Sequence, residues 1–170
     1  MRNLKDILYK TSIEEVLGST DIEINSIQFD SRKVKSNDVF VAQKGVTVDG
    51  HLFIEKAVSL GASAIICEEL PEVIAKNVSY IKVQDAKSTL AISASNYFNN
   101  PSSKLKLIGV TGTNGKTTIA SLLYQLFKKA GFKVGLLSTV KVIVDEIEYN
   151  ATHTTPDSIT INSYLQQMVH

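Results

Sequence analysis

The chain holds a single cysteine, Cys67, in 170 residues, so no disulfide can form within it, and nothing in its Cys and His spacing suggests a zinc site. A reducing compartment is the default for that composition. An excess of either charge is also missing. Lysine plus arginine number 18 against 17 aspartates and glutamates, a net charge of +1, which excludes the broad positive footprint of a nucleic-acid or anionic-membrane binder. Any phosphate binding must therefore be local. No apolar run is long enough to cross a bilayer, and Met1-Arg2-Asn3-Leu4-Lys5-Asp6 has no apolar core of signal-peptide length. Internal repeats and low-complexity segments are lacking too. These absences point to a soluble, cytoplasmic protein with neither nucleic acid nor membrane as partner, and a monomer is expected. What is present, 44% hydrophobic and 21% charged residues, suffices for a buried core.

Periodicity gives an α/β reading. Ile22 to Phe29 alternates with a one-residue slip after Ile24, which predicts one half-buried strand with a bulge. Asp38 to Ala42, Ser63 to Cys67 and Val78 to Val83 read as strands. His51 to Leu60, closed by Gly61, and a stretch from Asp85 to about Phe98 read as helices. Strands alternating with helices indicate layered α/β architecture. Asn99-Asn100-Pro101-Ser102-Ser103 breaks the pattern and is the candidate linker, dividing the chain into 1–103 and 104–170. Beyond it come a strand-like run from Lys104 to Val110, a glycine-rich turn and a helix from Thr117. Ile119, Leu122, Leu123, Leu126 and Phe127 keep helical spacing there, and Lys128, Lys129 and Gly131 close it. Phe132 to Leu137 and Val140 to Val144 read as strands, and Ser158 to Val169 as a helix capped by Asp157 or Ser158. The second part ends inside that helix and is shorter than the usual domain of about 100 to 200 residues, so a truncated domain is expected.

The strongest chemical signal is Gly109-Val-Thr-Gly112-Thr113-Asn114-Gly115-Lys116-Thr117-Thr118, between an expected strand and an expected helix. Phosphate oxygens need several backbone N–H groups pointing inward at a helix N-terminus, which small residues such as Gly112 and Gly115 permit. Lys116 is placed to reach the β- and γ-phosphates of ATP, and Thr117 to offer its hydroxyl to Mg²⁺. The first glycine stands at 109 where the general P-loop pattern has it at 110, held here by Val110. That departure points to a subclass.

Thr111-Gly-Thr-Asn-Gly-Lys-Thr-Thr118 resembles the ATP loop of the Mur ligase family. Asp30-Ser31-Arg32-Lys33-Val34, Ser36-Asn37-Asp38-Val39-Phe40-Val41-Ala42, and Gly45 to Asp49-Gly50-His51-Leu52-Phe53 resemble the N-terminal UDP-binding domain of members that extend the peptide of the peptidoglycan precursor. Thr154-Thr155-Pro156-Asp157 favours the branch adding the third residue. The resemblance implies a small α/β domain for UDP-N-acetylmuramoyl-dipeptide over 1–103. It implies the incomplete start of a P-loop, Rossmann-like ATPase domain over 104–170. The implied reaction is ATP-dependent amide formation through an acyl phosphate, with lysine or diaminopimelate as the incoming amino acid. Phe29 and Ser31 would then contact the uridine diphosphate end, and Val46, Thr47 and Val48 the uridine. Gly112, Thr113, Asn114, Gly115, Lys116, Thr117 and Thr118 would hold ATP, with Lys116 catalytic and Thr117 on the metal. His153, Thr154 and Thr155 would line the muramoyl side. The family's carbamylated lysine, its second metal ligand and its amino-acid pocket are expected beyond His170.

Plainer readings stand beside these. Asp30-Ser31-Arg32 also fits a turn in which aspartate and serine bond their own backbone. His51 fits a first-turn or surface residue, Glu68-Glu69 a solvated strand end, and Cys67 an inert buried thiol. Two other functions fit the motifs: a non-catalytic uridine-nucleotide-binding module, and a P-loop kinase or NTPase.

Overall fold

Val39 to Ala42, Ala64 to Cys67 and Ser79 to Val83 are apolar at almost every position, as strands covered on both faces must be. The computed structural model describes residues 1–45, 48–144, 146–150 and 156–169, and in it these three segments lie side by side and parallel. Contacts divide the chain into Met1–Tyr97 and Phe98–His170. The first unit runs β1 (Arg2–Asn3), α1 (Leu4–Ile7), β2 (Ile13–Leu17), β3 (Glu23–Ile24), β4 (Ile27–Gln28), β5 (Val39–Ala42), α2 (Ile54–Ser59), β6 (Ala64–Cys67), β7 (Ser79–Val83) and α3 (Ala86–Tyr97). Short 3₁₀ turns at Ser31–Lys33 and Gly50–Phe53 precede β5 and α2.

The main sheet has the order β2-β7-β6-β5-β4, parallel except for β2, which pairs antiparallel with β7. On one face Phe40, Ala42, Ile65, Cys67 and Tyr80 pack with Val34, Ile54, Ala57 and Ala62. Alternate residues Val39, Val41, Ile66 and Ile81 face the other way and are equally buried. Helix α3 packs on β5 and on α1, and the Asn96 side-chain amide fixes it there by donating to the carbonyls of Ile7 and Tyr9 at 3.0 and 2.7 Å. Asp85 starts α3. Its Oδ1 accepts the N–H groups of Lys87 and Ser88 at 2.9 and 3.0 Å, and the Ser88 hydroxyl on Oδ2 holds the carboxyl below its ordinary pKa. Cys67 closes β6 fully buried, and burial pushes its thiol up to about 11, so it stays protonated and inert, as expected.

The single strand expected over Ile22 to Phe29 is two. β3 pairs antiparallel with β1, whereas β4 pairs parallel with β5. The slip at Asn25-Ser26 is where the chain leaves one sheet for the other. Ser26 Oγ donates to the buried Asp38 carboxylate at 2.7 Å, and Asn25 Nδ2 to the Ser36 carbonyl at 2.9 Å. Polar side chains that satisfy backbone and carboxylate partners at a sheet crossing mimic a bulge in the apolar pattern.

The second unit contains a 3₁₀ turn (Pro101–Lys104), α4 (Lys116–Lys129), β8 (Leu136–Leu137), β9 (Lys141–Val144), β10 (Ile147–Asn150) and α5 (Ser158–Val169). Asn99 and Asn100, in the segment read as a linker, both take left-handed conformations, and the turn after them packs against α5. The three strands form an antiparallel meander, β10-β9-β8. Asp157 caps α5, its carboxylate accepting the Thr160 N–H at 2.9 Å and hydroxyl at 2.7 Å.

Two expectations fail here. The run from Lys104 to Val110 forms no ladder with any described strand, and Leu107 and Ile108 are each 61% exposed. An apolar run becomes a strand only when another strand takes its hydrogen bonds. The strand expected over Phe132 to Leu137 shortens to β8, while β10, which follows a turn at Glu146 with φ +69°, went unread. Helix α4 has the expected amphipathic spacing, yet Ile119, Leu122 and Leu126 are exposed. Among the described residues no helix is long and apolar enough to cross a membrane.

Candidate functional site

In open parallel sheets ligands gather beyond the carboxyl ends of the strands. Strands β4, β5 and β6 present such an edge, and the segments leaving it are residues 29–38, 43–53 and 68–78. In the first, Asp30 accepts the Arg32 backbone N–H at 3.0 Å and pairs with its guanidinium through both carboxylate oxygens, at 2.9 and 2.8 Å. Those bonds from Arg32 hold the Asp30 carboxyl down at about 2. The turn they fix places Ser31 at the start of a 3₁₀ turn with only 7% of its surface exposed. Among the described residues its hydroxyl makes no hydrogen bond. Phe29, just before the turn, is exposed.

The second segment is a narrow loop. Lys44 and Asp49 pair as an isolated antiparallel bridge, the Gly45 N–H donates to the Val48 carbonyl at 3.0 Å, and the Gly50 N–H to the Gln43 carbonyl at 3.0 Å. Val48, which accepts that first bond, is exposed. A side chain at Gly50 is excluded, because a Cβ there would lie 2.7 Å from the Gln43 carbonyl oxygen and 2.8 Å from its nitrogen.

In the second unit the glycine-rich segment turns into α4 through Gly112, with φ +145°, and Gly115, with φ +78°. Both values favour glycine, and together they aim the free N–H groups of the first helical turn at the loop. Lys116 opens the helix and folds back, its Nζ donating to the carbonyls of Gly112 at 2.5 Å and Thr113 at 3.2 Å. Thr117 Oγ1 lies 3.3 Å from Thr139 Oγ1. Among the described residues no three His, Cys, Asp or Glu side chains converge as a metal site. The oxygen donor on hand is a first-turn hydroxyl, which fits Mg²⁺ completed by phosphate oxygens and water.

Two family models match the chain: "Mur ligase family, catalytic domain" over residues 23–98, and "Mur ligase middle domain" over residues 110–170. The chain belongs to the Mur ligase family. Similar relatives carry the name UDP-N-acetylmuramoyl-L-alanyl-D-glutamate–2,6-diaminopimelate ligase. The protein of that name from Cytophaga hutchinsonii is 51% identical over 98% of this chain and 34% of its own length. That from Bacteroides fragilis is 49% identical over 97% and 34%. This Mur ligase chain thus spans about a third of the length of the curated relatives it matches. A solved structure of a ligase bearing the same name covers 99% of the chain and 33% of its own, with a TM-score of 0.74 at 22% identity. A MurF structure from Acinetobacter baumannii covers 88% and 29%, with a TM-score of 0.57 at 24% identity. These two likenesses bear on the fold.

Of the residues singled out in this Mur ligase sequence, Phe29, Ser31 and Val48 lie on segments leaving the edge of the first sheet. Gly112 to Thr118 form the loop and first turn before and within α4. Val46, Thr47, His153, Thr154 and Thr155 lie outside the described residues. Sequence reasoning missed three groups. Thr139 lies beside Thr117 although the two are 22 positions apart in the chain, a proximity no local pattern signals. Glu68 and Glu69, read as a solvated strand end, have partners: Glu68 accepts the Ala86 N–H at the start of α3 at 3.0 Å, and Glu69 pairs with Lys44 at 2.6 Å. His51 is in the first turn, as one reading had it, but its imidazole is half-buried in a hydrogen-bond cluster.

Proposed function

We propose that this chain carries the sugar-nucleotide domain and the first part of the ATP domain of a peptidoglycan-precursor ligase. The ligase joins 2,6-diaminopimelate to UDP-N-acetylmuramoyl-L-alanyl-D-glutamate at the expense of ATP. The observation that carries the reading is the phosphate loop. Two glycines at positive φ, a lysine and a threonine open a 14-residue helix, in a chain similar over nearly its whole length to ligases of that name. On this reading residues 1–103 bind the sugar nucleotide and 104–170 begin the ATP domain. The reaction is cytoplasmic, and neither nucleic acid nor membrane takes part.

The chemistry assigned to these residues is electrostatic. The substrate carboxylate attacks the γ-phosphorus and ADP leaves; the amine then attacks the acyl carbon and phosphate leaves. Lys116 swings from the carbonyls of Gly112 and Thr113 to the β- and γ-phosphates, and the first-turn N–H groups hold the remaining oxygens. Thr117 supplies a hydroxyl to Mg²⁺, which when bound neutralises phosphoryl charge. Phe29, Ser31, Val46, Thr47 and Val48 take the uridine diphosphate end, and His153, Thr154 and Thr155 the muramoyl side.

The test is ADP release by the complete protein given Mg-ATP and the sugar-nucleotide dipeptide, with diaminopimelate, with lysine, and with neither. Release requiring both the sugar nucleotide and diaminopimelate is expected. Release indifferent to both would leave an NTPase and remove the ligase reading. In the same assay Ser31→Ala is expected to raise the KM for the sugar nucleotide about fivefold to tenfold and leave kcat unchanged, because a hydroxyl hydrogen bond made to the ligand contributes about 1 kcal/mol. An unchanged KM would return Ser31 to a purely local turn.

A further inference from the structure

The His51 imidazole has three hydrogen-bond partners, and nothing above uses it. Its imidazole is only 12% exposed. Nδ1 lies 2.6 Å from Asp49 Oδ1, which also accepts the His51 backbone N–H at 2.9 Å. Nε2 lies 3.0 Å from the Glu68 backbone nitrogen and 3.2 Å from that of Glu69. Both backbone groups are donors, so Nε2 must be the acceptor and bears no proton. The proton sits on Nδ1 and is donated to Asp49, which fixes a neutral tautomer.

The imidazole therefore ties two sheet exits together. Asp49 is the outgoing arm of the loop that leaves β5, paired with Lys44 on the incoming arm. Glu68 and Glu69 are the first residues after β6. Lys44 closes the same ring from the other side by its ion pair with Glu69. The charged groups facing the imidazole are thus Asp49, Glu69 and Lys44, with the Glu68 carboxylate turned away to the start of α3. An exposed ion pair of this kind contributes little alone, so the half-buried imidazole is the firm member of the link.

We propose that His51 is a positioning residue for sugar-nucleotide binding: through Asp49 and the Glu68 and Glu69 amides it sets where the loop carrying Val48 stands over the carboxyl edge of the sheet. The inference rests on the assignment of that loop to the uridine end. Pre-setting a loop removes an ordering cost from binding, so loss of the link appears in affinity even when the fold is retained.

Two replacements separate the two ends of the ring. In H51Q the amide oxygen falls near the place of Nε2 and keeps an acceptor for Glu68 and Glu69. In H51N the amide reaches Asp49 but is too short for those backbone groups. The dissociation constant of UDP-N-acetylmuramoyl-L-alanyl-D-glutamate is measured calorimetrically on the full-length protein, well below the unfolding temperature, with ATP affinity and the thermal midpoint as controls. H51N is expected to weaken sugar-nucleotide binding about tenfold and leave ATP binding unchanged, with H51Q within about twofold of the parent. If H51N lowers the thermal midpoint and leaves the dissociation constant where it was, His51 is only a cross-link and the proposal falls. If H51Q is as weak as H51N, the acceptor role of Nε2 is wrong and the proposal falls equally. S31A distinguishes the two levels: S31A weakened beside an unaffected H51N overturns His51 alone, whereas a parent protein that does not bind the sugar nucleotide overturns the assignment beneath it.

Discussion

Lys116→Ala is expected to cut ADP formation by the complete ligase at least about a thousandfold, the range seen when a preorganised cation or donor is removed from a phosphoryl-transfer site. The lysine is the first residue of α4, and its ammonium rests on the carbonyls of Gly112 and Thr113. Those carbonyls belong to an exposed loop, so truncation strands no buried polar group. Alanine is also at home in the first helical turn. The fold and the sugar-nucleotide affinity should therefore persist while turnover disappears. A coupled assay for ADP, run beside calorimetric binding of the sugar nucleotide, checks both halves. Turnover within tenfold of the parent would take Lys116 out of the mechanism.

The largest effect on stability is expected from Phe40→Ala. Phe40 lies in the middle of β5, 1% exposed, and packs with Ile54 and Ala57 of α2, Ile65 of β6 and Tyr80 of β7. Removing a buried phenyl ring from such a position costs about 3 to 5 kcal/mol, the transfer term plus the cavity it leaves. For a unit of this size that corresponds to a fall in midpoint of roughly 12 °C or more. Thermal unfolding followed by circular dichroism measures it, and a loss below about 1 kcal/mol would mean that the sheet and α2 collapse onto the gap. The variant should also lose sugar-nucleotide affinity near its lowered midpoint, because β5 carries the loop ending at Asp49 into place.

What was legible in the sequence had local causes. Asp38 to Ala42, Ser63 to Cys67 and Val78 to Val83 are short apolar runs between turn formers, and burial on both faces demands that composition, so the central strands emerged close to their true bounds. The start of α3 followed from Asp85, a cap acting on residues two and three places ahead. The glycine turn into α4 was readable for the same reason: Gly112, Gly115 and the first helical residues act within one turn of one another. Long-range pairing was not readable. Alternation across Ile22 to Phe29 survives a change of sheet, because both sheets need apolar residues at alternate positions, and the run after Lys104 carries strand composition without a strand beside it. At the first unit's edge the aspartate of Asp30-Ser31-Arg32 proved to be the turn former that a plain reading suggested, while among the described residues the Ser31 hydroxyl makes no hydrogen bond. His51 was opaque because the two partners of its Nε2 are backbone amides 17 and 18 residues away, which any residue supplies and no motif encodes.

The two outer strands of the main sheet have a bearing on how this protein behaves at high concentration. One, β4, is two residues long, and the other, β2, carries Glu14 and Glu15 along a strand whose neighbour β7 brings Lys82 within 3.4 Å of Glu14. A strand of another molecule seeking to extend the sheet meets a border too short to template it on one side and acidic side chains on the other. The apolar centre of this sheet, rich in valine and isoleucine, is thereby shielded from edge-to-edge aggregation.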